Sequence, residues 1–253
     1  MKKTAIAAFI VALAPVASHA DLLFTVGAKA SVWNAEPTGQ IDDDISVDSS
    51  NNGLGLDSEN GTQLTVFFEH PVPMLPNIKL KQTSLDLSGD GTLALSTSFN
   101  GQAFAGPVTS DLDLSHTDVT LYWGLPLPLP YVDINFGLTG RMFDGYAEVS
   151  NTLSGTERVD LDATVPMVYG AVKVDTPFGV YAQVDVNYIG YSGNTLSDIS
   201  YGLGYDLPVP IADIGLEAGY RSLSMKTDED LTDIATDVDV SGLYYGASVS
   251  IGF

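Results

Sequence analysis

Residues 22–33 read Leu22-Leu-Phe-Thr-Val-Gly-Ala-Lys-Ala-Ser-Val-Trp33. The even positions, Leu22, Phe24, Val26, Ala28, Ala30 and Val32, are all apolar. The odd positions Thr25, Gly27, Lys29 and Ser31 are polar or small. Side chains that change face at every residue mark a β-strand, since a helix repeats every 3.6 residues. One face of this strand is oily throughout and the other is not.

The same reading recurs along the chain. Val132, Ile134, Phe136, Leu138 and Met142 alternate with Asp133, Asn135, Gly137, Thr139 and Arg141. Val159, Leu161, Ala163, Val165, Met167, Tyr169 and Ala171 alternate with Asp160, Asp162 and Thr164. Val180, Ala182, Val184, Val186 and Tyr188 alternate with Gln183, Asp185 and Asn187. Ile214, Leu216, Ala218 and Tyr220 alternate with Gly215, Glu217, Gly219 and Arg221, and Leu243 to Phe253 follows suit. A soluble sandwich also alternates, but its strands average 5–6 residues. Several runs here reach the 9–11 that a tilted membrane strand needs. The fold expected is all-β: an antiparallel, transmembrane, up-and-down barrel, apolar face to lipid and polar face to lumen.

The first twenty residues read as a secretory signal. Lys2 and Lys3 precede an apolar run from Thr4 to Pro15, and Ser18-His-Ala20 places small residues where a signal peptidase cuts. This divides the chain into a signal peptide, 1–20, and a barrel domain, 21–253, carried to the outer membrane of a Gram-negative cell. Removing Lys2 and Lys3 leaves eight basic against 32 acidic residues, a net charge of −24. That balance excludes nucleic acid as a partner, because phosphate binding requires Lys and Arg. The absence of cysteine excludes disulfides and thiolate chemistry.

Proline-rich punctuation sets the topology. Pro71-Val-Pro-Met-Leu-Pro76, Pro126-Leu-Pro-Leu-Pro130, Thr176-Pro-Phe-Gly179 and Pro208-Val-Pro210 are compact turns. Proline cannot donate to a ladder, so it ends strands. Between these turns lie polar segments at 36–60, 100–110, 146–157, 193–197 and 227–238. Four turns and five loops predict ten strands, with the turns periplasmic and the loops extracellular. The phase of alternation shifts between Leu80 and Leu85. This predicts a bulge or an excursion above the membrane within 78–118, with an eight-stranded barrel as the alternative.

The closing residues, Tyr244-Tyr-Gly-Ala-Ser-Val-Ser-Ile-Gly-Phe253, resemble the C-terminal β-signal of outer-membrane proteins. Tyr245, Ile251 and Phe253 match its aromatic and hydrophobic positions, while Ser248 stands where Gly is usual. The chain is similar to the small proteobacterial outer-membrane barrels, in particular to uncharacterised outer membrane protein families. That resemblance implies insertion by the barrel-assembly machinery through strand addition. It also implies a setting of outer-membrane lipid and lipopolysaccharide. Aromatics near predicted strand ends, among them Trp33, Tyr122, Tyr188, Tyr201 and Phe253, suit the membrane interface.

Three constellations carry potential chemistry. The lumen-facing set of Lys29, Asp133, Arg141, Asp160, Asp162, Asp185, Glu217 and Arg221 predicts a network of opposed charges. In a barrel of this width it fills the interior as a plug, or else lines a narrow channel for small solutes or hydrophobic molecules. The acidic runs Asp42-Asp43-Asp44 and Asp228-Glu229-Asp230 lie in the first and last loops, which are neighbours in a closed barrel. Their carboxylates suit a hard cation such as Ca²⁺, or form a solvated surface. Asp86-Leu-Ser-Gly-Asp90-Gly91 has the oxygen spacing of a calcium loop but Thr97 at its twelfth position, and also reads as a plain turn. His116, among Asp111, Asp113, Ser115 and Asp118, is the one residue positioned for hydrolase chemistry. With no recognisable catalytic motif around it, the reading favoured is a non-enzymatic surface barrel without a cofactor.

Overall fold

The computed structural model describes residues 24–41, 45–72, 74–126, 131–207, 209–227 and 235–253. The expected signal peptide and Asp42, Asp43, Asp44, Asp228, Glu229 and Asp230 lie outside the described residues.

The strands are β1 (Thr25–Ile41), β2 (Ile45–Ser46), β3 (Glu59–Glu69), β4 (Asn77–Ser84), β5 (Asp86–Phe99), β6 (Gln102–Asp113) and β7 (His116–Gly124). They continue with β8 (Val132–Asn151), β9 (Gly155–Asp175), β10 (Val180–Tyr191), β11 (Asn194–Leu207), β12 (Asp213–Thr227) and β13 (Thr236–Gly252). Ten of them close a ring in the order β1-β3-β4-β7-β8-β9-β10-β11-β12-β13, every neighbour antiparallel. Closure runs from Thr25 opposite Gly252 to Ile41 opposite Thr236. Phe24 and Phe253 exchange backbone hydrogen bonds of 2.9 Å just beyond it. A closed ring leaves no open edge, which is the condition for strands in lipid.

β5 and β6 are not ring members. They form a hairpin inserted between β4 and β7, and β6 docks on the far part of β8, Asp113 opposite Tyr146 to Thr109 opposite Ser150. This is the excursion expected where the phase slips. Leu85 and Ser115 are its pivot: Leu114 N donates to Leu85 O at 2.9 Å, and Leu85 N donates to Ser115 Oγ at 3.1 Å. The first loop then covers the free edge of β5. Gly53 N donates to Thr92 O, and Asp57 N to Ser88 O. Gly89 and Gly91 lie under this loop, where a Cβ would meet the backbone of residues 53–56. Asp86-Leu-Ser-Gly-Asp90-Gly91 is therefore strand, neither a calcium loop nor a turn.

The strands outrun the membrane. β8 has 20 residues and β9 has 21, about twice the span that hydrocarbon requires. The expected loop at 146–157 shrinks to a turn after Asn151, and the loop at 193–197 to Ser192-Gly193, both with positive φ. The expected loop at 100–110 is mostly β6.

Along each long strand the chemistry of the two faces exchanges at one level. On β8, Thr139 and Arg141 point inward and Leu138 and Met142 outward. One step further Phe143 and Val149 point inward, while Asp144 and Glu148 point outward. On β12 the inward row passes from Glu217 and Arg221 to Leu223. On β1 it passes from Lys29 and Ser31 to Trp33, Ala35 and Ile41. The half bearing the short turns and both termini thus has a polar lumen and an apolar outer belt that includes Leu64, Leu138, Val168, Leu203 and Leu243. That belt, exposed over the whole circumference, is the face of a protein dissolved in lipid. The loop half is built as a soluble β-protein, with a continuous core of Trp33, Leu85, Leu87, Phe99, Phe104, Leu112, Val149 and Val240.

This exchange corrects three expectations. On β9 the odd residues Val159, Leu161, Val165, Met167 and Tyr169 face inward. Asp160 and Asp162 therefore lie on the water-facing outer surface of the loop half and are not lumen residues. Asp160 pairs there with Arg158. Trp33 and Tyr122 are buried inside rather than placed at the interface. Tyr188, Tyr201, Tyr245 and Phe253 are exposed on the outer belt as expected.

Candidate functional site

The interior of the membrane half is organised in tiers. The topmost, at the level where the faces exchange, is a buried ion cluster. Arg141 of β8 grips Asp118 of β7 with two parallel bonds, Nε to Oδ1 at 2.8 Å and Nη2 to Oδ2 at 2.7 Å, and also contacts Asp198 of β11. Arg221 of β12 grips Asp198 in the same forked way, at 2.9 and 2.7 Å. Both guanidinium groups are fully buried, and the two carboxylates nearly so. Fork-on-fork geometry is what the planar guanidinium offers and an ammonium cannot. The cluster joins β7 and β8 to β11 and β12 across the lumen.

Its upper side is capped by rings. The Arg221 guanidinium lies 4.5 Å over Trp33, and His116 packs 5.4 Å from Phe143. His116 Nδ1 faces Leu114 O at 2.8 Å and its Nε2 faces Arg221 Nη2 at 3.2 Å. A carbonyl accepts and a guanidinium donates. The ring therefore carries its proton on Nδ1 and is neutral. Both nitrogens are thereby used, which leaves neither to serve as a base.

His116, Asp118 and Asp198 bring one ligand atom each within 4.8 Å of one another. The residues present do not fit a metal. The carboxylate oxygens and the imidazole nitrogen of this trio already accept guanidinium hydrogens, and two cations occupy the space a third would need.

Below the cluster, Thr120, Thr139 and Asn187 form a hydroxyl–amide chain at 2.8 and 2.6 Å. Lower still, Lys79 of β4 reaches across to Asp185 of β10 at 3.0 Å and to the Tyr169 hydroxyl at 2.9 Å. Lys29 of β1 pairs with Glu217 of β12, to which the Tyr181 hydroxyl also donates. Near the turns Lys173 pairs with Asp175 at 2.9 Å and Asp206 at 3.5 Å. Five of the eight expected network residues, Lys29, Arg141, Asp185, Glu217 and Arg221, thus lie in the lumen and are paired. Asp133 lies at its turn-side mouth.

The sequence reading passed over Asp118, Asp198 and Thr83 as network members. The signal was present in the alternation. Asp118 shares its phase with Thr120 and opposes Val119 and Leu121, and Asp198 shares its phase with Ser200 and Asp206. Each stands at the start of a membrane-spanning run, where phase is hardest to read.

Between the cluster and the turns the lumen encloses a cavity of about 500 Å³. It shares Phe67, Lys173, Asp213 and Ser250 with a second space of about 620 Å³ bounded by His70, Pro71 and Asn77, so it opens toward the turn end.

No family model and no curated protein matches the chain. Solved structures similar to it are outer-membrane barrels. The outer membrane protease OmpT from Escherichia coli is 10% identical, with a TM-score of 0.45, 90% of this chain and 97% of that one being covered. Ail, the attachment invasion locus protein of Yersinia pestis, solved with the heparin analogue sucrose octasulfate, is 12% identical, with a TM-score of 0.38 over 89% and 99%. A mutant of the monoaromatic hydrocarbon channel TodX is 10% identical, with a TM-score of 0.32 over 92% and 91%. The barrel architecture rests on this chain's own closed ring of ten strands and its outer apolar belt.

Proposed function

We propose that the protein is a non-conducting, non-enzymatic outer-membrane barrel. Its role is to hold a rigid extracellular β-structure at the cell surface. One observation carries this reading: the Arg141–Asp118–Asp198–Arg221 cluster crosses the lumen and is roofed by the apolar core of the loop half. Ions and water would have to pass two buried guanidinium groups and then a dry core. The cost of stripping a permeant ion of water in such a medium is many times the thermal energy. Mixed charges that neutralise one another support a plug over a selective pore.

The absence of catalysis is supported by the neutral, doubly engaged His116. The turn end is read as periplasmic, and Tyr245, Ile251 and Phe253 on the closing strand as the signal by which the assembly machinery recruits the chain. The acidic segment Asp42–Asp44 follows β1, and the segment holding Asp228–Asp230 joins β12 to β13, the ring neighbour of β1, with Ile41 and Thr227 both opposite Thr236. This adjacency supports a shared divalent-cation function, with Ca²⁺ as the fitting ion.

Planar-bilayer recording of the folded protein tests the central reading. Silence at all voltages is expected, and stepwise conductance from the wild type would overturn it. Equal heat stability with and without Ca²⁺ would remove the cation function.

A further inference from the structure

The cavity below the cluster is mostly basic on one wall and mostly acidic on the other, with Asp118 of β7 and Lys173 of β9 as the exceptions. Lys29, Lys79 and Lys81 come from β1 and β4, with Gln63 and Thr65 of β3 between them. Asp185, Asp198, Asp206, Asp213 and Glu217 come from β10, β11 and β12. Most of these charges answer one another, as described above, but Lys81 does so only at the 4.0 Å limit of an ion pair and Asp213 not at all among the described residues.

Among the described residues Lys81 donates no hydrogen bond. The carboxylate oxygen nearest its ammonium is Asp198 Oδ2, at 4.0 Å, which already accepts from both arginines. Gln63, diagonal to Lys81 on the next strand, is only 9% exposed, and its amide nitrogen is buried without a partner. An orphaned buried donor is costly, so such groups usually mark a missing acceptor. At the other end of the cavity Asp213 has no ion pair with any described residue. Asp133 also faces the mouth.

The inner end therefore offers unmatched donors and a positive charge, and the mouth offers unmatched carboxylates. A free anion would have to pass the acidic mouth. A free cation would be stopped by Lys81. A molecule with both charges, entered anion first, satisfies each end. The volume, about 500 Å³, lies in the range of small-ligand sites.

We propose that this vestibule binds a small, elongated zwitterion from the periplasmic side, its carboxylate or phosphate at Lys81 and Gln63 and its ammonium toward Asp213. Only the direction of entry rests on the sealed-lumen reading. The side-chain set does not.

The test is calorimetric titration of the full folded protein in detergent with 6-aminohexanoate, hexanoate and hexylamine. Saturable binding of 6-aminohexanoate is expected, at least tenfold tighter than either single-charge analogue. Lys81→Met should weaken it at least tenfold and Asp213→Asn severalfold, each variant keeping the heat-dependent gel shift of the folded barrel. If Lys81→Met does not fold, Gln63→Leu takes its place, with the same expected weakening. Equal affinity for hexanoate would overturn the zwitterion in favour of a plain anion site. No saturable heat with any probe, or affinity unchanged in the variants, would overturn the site altogether. Passage of 6-aminohexanoate into proteoliposomes would sink the non-conducting reading and leave the binding site standing.

Discussion

The membrane half and the loop half of this barrel share most of their strands, yet are built on opposite chemical plans. Below the Arg141–Arg221 level the outer face is oily and the interior charged. Above it the interior is oily and the outer face charged. On β8 and β9 nothing in the backbone changes at that level, since they stay in register from Val132 opposite Val174 to Asn151 opposite Gly155. What changes is the solvent. In lipid the outside must be apolar and the lumen is left to polar groups. In water the rule of soluble proteins returns. The ion cluster sits at the junction because it belongs to both regimes. It faces the polar lumen below, and its guanidinium planes and imidazole pack on Trp33 and Phe143 above.

This contrast can be broken most directly at the junction. Asp198→Ala leaves Arg141 and Arg221 buried without their shared carboxylate. A loss of about 3–5 kcal/mol is expected, read as a lower denaturant midpoint for the folded, heat-modifiable form. Asp198→Asn, which keeps shape and acceptor, should lose less. In the loop half, Phe104→Ala should cost about 3–5 kcal/mol for the cavity it leaves in a fully packed core, lowering the same midpoint.

A charge on the outer face separates the two plans more sharply. Leu138→Arg places a cation in the lipid belt and should cost about 2–4 kcal/mol near the bilayer midplane. Ser150→Arg, on the same strand and face but above the exchange, should stay within about 0.5 kcal/mol. Equal penalties at the two positions would show that the belt is misplaced.

The smallest effect concerns Asp86, which lies directly opposite Asp113 on the outer face of the β5–β6 hairpin. Partial burial, together with the charges of Asp113 and Asp111, raises its pKa above the ordinary carboxylate value. A raised carboxylate pKa means that the ionised form strains the fold. The penalty is present above the folded pKa and vanishes as pH falls below the unfolded one. Asp86→Asn should therefore gain up to about 1 kcal/mol at neutral pH and nothing at acidic pH, measured as unfolding midpoints across that range.

How much was legible follows from the same contrast. Where a strand stays in one regime, as β10 does from Val180 to Tyr188, the sequence phase and the structural face agree, and Gln183, Asp185 and Asn187 line the lumen as expected. Where a strand crosses the exchange, the pattern misleads. On β9 the apolar residues keep one phase from Val159 to Tyr169 and the other phase at Val168, Val172 and Val174, so the first run reads as lipid-facing when most of it fills a core. Asp160 and Asp162 were assigned to the lumen for that reason. The hairpin of β5 and β6 was visible as a slip in phase, but its docking on β8 was not, because pairing between distant strands has no local mark.

Periodicity, proline placement and charge, all properties of neighbouring residues, were enough by themselves to determine an antiparallel membrane barrel with compact turns at one end and to favour ten strands over eight. Only the tertiary structure decided which solvent each stretch of strand meets, and therefore which face of an alternating pattern is inside. It alone brought Asp118 and Asp198, far apart in sequence, into one buried cluster, with Lys81 beside it. The physical reason is that alternation records a difference between two faces, while the sign of that difference is set by what closes around them.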